Sequence, residues 1–143
     1  AARVPLAVTG GFRSLETMQS ALDQGVIDVV GLARPLCVEP DFVKRALDGS
    51  SALAPSQERN LALGPGWFGP NSSSATMRGL NAQAQTAWYY AQLLRLAAGE
   101  EPNLALSIHS ALWSHYGREY RVARARRAAR AGRSTRALLP SQT

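Results

Sequence analysis

The sequence predicts an α/β fold: the carboxyl-terminal quarter of a TIM (β/α)8 barrel, its strands 7 and 8, followed by a helical carboxyl-terminal extension. Three observations predict it. Two short apolar runs, Leu6-Ala7-Val8 and Val26-Ile27-Asp28-Val29-Val30, each end in a glycine-bearing turn, Gly10-Gly11 and Gly31. Between them Leu15, Met18, Ala21 and Leu22 fall at the spacings of one helical face. The order is therefore strand, turn, helix, strand, turn, the parallel βαβ arrangement with both glycine turns at one end of the sheet. Beyond a Gly/Pro/Ser-rich stretch, two more amphipathic segments follow with no strand between them.

The near-continuous apolarity of the first run predicts a strand buried on both faces. Ser14 is a natural N-cap for a helix over 14–24, and Gly25 suits the position just past its end. The β-branched residues of 26–30 predict the second strand. Pro35-Leu36-Cys37-Val38 is short enough for the extra helix that often follows the last barrel strands. Glu39 to Asp48 reads as the last barrel helix, with Pro40 and Asp41 in its first turn, Phe42, Ala46 and Leu47 at helical spacing, and Gly49 closing it.

From Ser50 to Ser74, Pro55, Gly64-Pro65-Gly66, Gly69-Pro70 and a serine run are turn signals, so this is a connector; its rings Trp67 and Phe68 are expected to dock on another surface. Leu80, Ala84, Ala87, Trp88, Ala91 and Leu94 predict a helix over 77–98 that ends at Gly99. A second helix is expected from Asn103, behind Pro102, with Leu104, Ile108, Ala111, Leu112 and Tyr116 along one side, the two forming an αα-hairpin. The organisation is thus barrel units over 1–49, a connector over 50–76, and a helical hairpin with an arginine-rich tail over 77–143.

Glycines at Gly10, Gly11 and Gly31 let an anion approach backbone N–H groups with no Cβ in the way. Arg34 follows the second strand and adds a permanently charged fork that takes two phosphate oxygens together. A lone Gly-Gly would read as an ordinary turn, but matched glycines in two successive units, with an arginine, favour phosphate binding. Asp28, inside a strand run, is assigned a structural role, as a cap or as a partner of Arg3 or Arg13.

At these residues the chain resembles the carboxyl-terminal part of the NADH:flavin oxidoreductase family, the old yellow enzyme group, over residues 3 to 49. The resemblance rests on Thr9-Gly10-Gly11-Phe12, on Asp28-Val29-Val30-Gly31-Leu32-Ala33-Arg34-Pro35 and on Glu39-Pro40-Asp41. Members with a longer carboxyl terminus show a connector similar to Gly64-Pro65-Gly66-Trp67 and a helical pair. The resemblance implies that amides near Gly10, Gly11, Gly31 and Leu32, with the Arg34 side chain, hold the phosphate of FMN, and that Phe12 lies near the flavin, although packing explains Phe12 about as well. It implies NAD(P)H as hydride donor and an electron-poor small molecule as acceptor, and it leaves room for a homo-oligomer.

A complete barrel takes about 250 residues, and this 143-residue chain opens without Met just ahead of its first strand. It is expected to be a fragment, inactive by itself. In the resembled family the residues that orient and protonate the acceptor come from earlier strands, so no catalytic residue is assigned here. Two rival functions are an FMN barrel acting on RNA, similar to a dihydrouridine synthase, and a non-catalytic helical interaction module.

The formal net charge is +6, but half of the 16 basic residues are arginines between Arg118 and Arg136. They spread round all faces of a helix with no base-reading motif beside them, so a solvated terminal helix is expected and nucleic acid is not expected as a partner. Cys37 is the single cysteine, which excludes an internal disulfide; a small buried residue is its expected role. His109 and His115 sit six apart, on opposite sides of a helix, so no metal site is expected. No apolar run is long enough to span a bilayer, and a cytoplasmic, membrane-free protein is the expectation.

Overall fold

The structure, a computed structural model, describes residues 4–137, the side chains of 131–137 excepted. It is mixed α/β, with a small parallel sheet and mostly helices. Strand β1 (Ala7–Thr9) pairs in parallel with β2 (Val29–Gly31) in the register Ala7 to Val29, Val8 to Val30 and Thr9 to Gly31. Helix α1 (Leu15–Asp23) makes the crossover between them. As expected, Ser14 caps it, its hydroxyl accepting from the Thr17 amide at 3.2 Å, and Gly25 follows the end at φ +63°.

The second strand is shorter than 26–30. Asp28 donates its amide to the Leu6 carbonyl at 2.9 Å, and its carboxylate accepts the Leu6 amide at 2.8 Å. This side chain closes the start of the sheet, so the structural role expected of Asp28 holds. Of the two arginines considered as its partners, Arg13 pairs with Glu58, and Arg3 lies outside the described residues.

The first strand is not buried on both faces. Ala7 and Thr9 are exposed and Val8 is half-buried, while Val29 is 52% exposed. Only α1 and the segments packed beside it cover this two-stranded sheet, through Val30, which touches the core of Met18, Phe42, Ala46 and Ala54. Phe42 is fully buried there, a contribution on the order of 2–3 kcal/mol.

Short helix α2 (Arg34–Val38) stands where the extra helix was expected, with Pro35 in its first turn. Helix α3 (Phe42–Leu47) is shorter than 39–48. Glu39 precedes Pro40, which disfavours helical backbone, and it sits at φ −133°, ψ 89°. Its carboxylate is salt-bridged to Arg45 instead.

The connector does dock, but not through Trp67 and Phe68. Ala52 accepts the Leu15 amide at 2.8 Å and Ala54 donates to the Arg13 carbonyl at 2.7 Å, stitching the connector to the first glycine turn. Leu61 enters the core. Trp67 and Phe68 instead lie in a tight 3-10 turn (Gly66–Phe68), edge to face with centroids 5.1 Å apart, and are 55% and 56% exposed. The turn directs both rings outward while the Phe68 carbonyl turns inward to Asn81, 2.9 Å from its Nδ2.

Helices α4 (Ala75–Ala97) and α5 (Ile108–Ala137) form the expected hairpin. Asn103 does not begin α5. Its side chain accepts from the Ala105 amide at 3.1 Å, a local turn that competes with capping. Leu104 is correspondingly half-exposed, and Trp88 donates its indole N–H to the Leu106 carbonyl at 2.8 Å. A second core joins Cys37 and Val38 of α2 to Leu61, Ala84, Trp88, Tyr89, Ile108 and Ala111. Helix α2 therefore links the βαβ unit to the hairpin.

Candidate functional site

Parallel pairing puts both glycine turns at the carboxyl end of the sheet. Gly10 and Gly11 adopt φ +107° and +80°, and a Cβ on either would meet nothing within 4 Å. Their need for glycine is conformational, and the space over them is open. Gly31 differs. A Cβ there would come 2.0 Å from the Thr9 hydroxyl oxygen, so this glycine is required by the close pairing with β1.

Between the turns lies a cleft of about 320 Å³. Gly10, Phe12, Gly31, Leu32 and Arg34 line it, with Arg13, Ala33 and Pro35. Five of the six expected site residues are thus brought together, and Gly11 stands beside them in the first turn. Phe12 and Leu32 also pack against the core around Phe42, so both serve structure whatever the cleft holds. A larger depression of about 620 Å³ over Gly64 to Ser73 has no ionisable side chain in its lining. The charge is at the smaller one.

Three residues missed from the sequence complete the electrostatics. Glu58, from the connector, accepts from Arg13 Nη2 at 2.5 Å and from Arg34 Nη1 at 3.4 Å on the same oxygen. Its other oxygen accepts the Ser56 hydroxyl at 2.5 Å. Burial alone would raise this carboxyl, but the Ser56 hydroxyl, its own backbone amide and the two guanidiniums hold it below the ordinary glutamate range. Arg34 also lies over the Tyr89 ring of α4, its Cζ 5.6 Å from the centroid. Burial, followed by the Glu58 charge, pushes the Tyr89 phenol up.

Nothing local flags Glu58 in the sequence. It is one acid among turn residues, and only its opposition to two cleft arginines gives it a role.

Cys37 is buried near the cleft, its thiol 3.5 Å from the Ala33 carbonyl, and burial raises its pKa. It is a packing residue, as expected. His109 faces the Leu63 carbonyl at 3.0 Å. Among the described residues no group of three or more His, Cys, Asp or Glu is placed to hold a metal ion, and no helix is long and apolar enough to cross a membrane.

A cleft of open glycine turns with a half-exposed arginine can hold an anion. Comparison with known proteins gives the chain's relatives. The chain is 33% identical over 97 residues, 66% of its length, to the NADH-dependent flavin oxidoreductase iccE of Talaromyces variabilis. It is 49% identical over 44 residues to the NADH-dependent flavin oxidoreductase iliE of Hypocrea jecorina, and 54% identical over 37 residues to that of Neonectria sp.. Its curated relatives are NADH-dependent flavin oxidoreductases.

The resemblance to NADH:flavin oxidoreductases read from the sequence is borne out. These matches cover 31% and 26% of this chain in the two iliE proteins. They span 22%, 11% and 5% of the three relatives in turn, so the chain is similar to a part of such an enzyme. No family model matches the chain.

Proposed function

We propose that the cleft between the two glycine turns anchors the phosphate of FMN in an NAD(P)H:flavin oxidoreductase of the old yellow enzyme type, with β1 and β2 as strands 7 and 8 of its (β/α)8 barrel. One observation carries this reading. Arg34 and the glycine turns of two consecutive βα units face one cleft at the carboxyl end of parallel strands, where open α/β sheets and barrels take their ligands.

The residues present fit a terminal phosphate. The open space over Gly10 and Gly11 admits oxygens close to the backbone, and Arg34 keeps 54% of its side chain exposed. In this reading Gly10, Gly11, Gly31 and Leu32 bring backbone to the phosphate, Arg34 takes two of its oxygens, and Phe12 borders the flavin side. The chemistry that the bound group supplies is hydride acceptance from NAD(P)H and donation to an electron-poor alkene or related small molecule. The chain's own share is binding and orientation.

The test is FMN binding by the 143-residue chain, followed by quenching of flavin fluorescence, with Arg34→Ala and competing inorganic phosphate. The reading expects saturable binding that phosphate displaces and that the variant weakens at least tenfold. Binding indifferent to both overturns it.

A further inference from the structure

We infer that the anion cleft is not built by the βαβ unit alone: Glu58 of the connector and Tyr89 of α4 position Arg34 for a phosphate, so the helical extension is part of the site. This rests on the phosphate reading above. The half-exposed Arg34 would by itself be a loose side chain, yet its guanidinium is held on two sides. The Tyr89 ring lies 5.6 Å from Cζ, and Glu58 Oε1 lies 3.4 Å from Nη1.

Both supports are themselves fixed. Tyr89 is 6% exposed and meets Trp88 edge to face. The Glu58 side chain is 19% exposed and is tied to Ser56 and Arg13. A guanidinium carries five N–H donors in a rigid plane. Glu58 engages Nη1, and Arg34 lines the cleft.

An arginine held in this way loses less rotamer freedom when it captures an anion. Glu58 also sits between two guanidiniums that would otherwise repel each other. Two cations and one anion leave the cluster with one net positive charge, the right sign for phosphate. Glu58 and Tyr89 act through Arg34; they are positioning residues.

The test titrates the 143-residue chain with inorganic phosphate for Glu58→Ala, Tyr89→Leu and Tyr89→Phe, each alone and with Arg34→Ala. Glu58→Ala and Tyr89→Leu are expected to weaken binding about three- to tenfold. Tyr89→Phe keeps the ring and stays within about twofold. With Arg34→Ala present, neither loss should recur.

Binding as tight as the wild type or tighter in Glu58→Ala, or losses undiminished in the Arg34→Ala background, overturns the inference. Should Tyr89→Leu unfold by circular dichroism, Glu58→Ala in the connector carries the test. A second readout needs no ligand: NMR measurement of Arg34 guanidinium rotation, slow in the wild type and faster in Glu58→Ala. Equal rotation in both overturns the positioning role. Restricted rotation with no phosphate binding by the wild type upholds the placement and overturns the phosphate reading instead.

Discussion

Gln92 and Asn103 exchange two hydrogen bonds across the turn between α4 and α5: Gln92 Nε2 donates to the Asn103 carbonyl at 3.1 Å, and the Asn103 amide donates to Gln92 Oε1 at 2.8 Å. Gln92 is fully buried. One side-chain amide thus satisfies both backbone groups of a residue that no helix serves. Replacing it with alanine strands the Asn103 amide and leaves the carbonyl only the Leu106 amide, 3.2 Å away, at a cost of about 1–3 kcal/mol. Urea unfolding followed by helical circular dichroism should show a lower midpoint with an unchanged slope; a midpoint equal to the wild type's would remove Gln92 from the account of the hairpin.

Asn81 has a stricter requirement. Its Nδ2 donates to the Phe68 and Met77 carbonyls, both at 2.9 Å, while its Oδ1 accepts the Leu63 amide at 3.0 Å. Asn81→Asp would keep the acceptor and set a carboxylate oxygen against two carbonyls in a fully buried site. It should therefore be more destabilising than Asn81→Ala, by about 1 kcal/mol or more. Thermal melts of the two variants rank them, and Trp67 emission should shift in both because the Gly66–Phe68 turn loses its anchor.

Gly31→Ala should damage the sheet directly. The added Cβ meets Thr9 at its hydroxyl oxygen, at its Cβ (2.9 Å) and at its Cα (3.1 Å). Overpacking of this kind costs about 1–3 kcal/mol. Of these three atoms Thr9→Ala removes only the hydroxyl oxygen, so the double variant should recover part of the loss. Full recovery would show that only the hydroxyl matters and that the backbones can separate freely.

Acid should weaken the Glu58 cluster. The Glu58 carboxyl is held below its reference value of 4.5 in the fold. Its stabilisation is therefore complete above that value and is lost as pH falls through the lower folded pKa. Glu58→Gln should flatten this part of the stability profile below about pH 4.5 and leave it unchanged near neutrality in slope. Parallel profiles for both proteins would exclude Glu58 as a source of acid sensitivity.

What the sequence makes legible is what leaves a local trace. Ser14 and Gly25 bracket α1 because capping depends on residues a few positions apart, and Gly99, at φ +75°, follows the end of α4 for the same reason. Gly10, Gly11, Gly31 and Arg34 could be found because each lies at or just beyond the end of a strand. Glu58 could not, since its arginine partners lie 45 and 24 residues away and charge pairing at that range has no period. Asn81 and Gln92 look like surface residues by composition; their burial follows from the irregular backbone beside them, which needs donors and acceptors that an apolar side chain lacks. Asn103 carried a genuine capping signal that a competing turn captured. Val26, Val29 and Leu6 read as core because apolarity records what a strand can bury, not what this sheet does bury.

Cys37 gives the molecule a chemical clock. It sits on α2, whose Leu36 packs toward the Phe42 core while Cys37 and Val38 belong to the core around Trp88. A thiol in that joint is 6% exposed, and a thiol reagent can reach it only when the two halves part. As the single cysteine of the chain, it reports that event without background. Its alkylation rate, compared with that of a free thiol, measures how often the βαβ unit and the hairpin uncouple, and so whether they melt as one cooperative unit or as two.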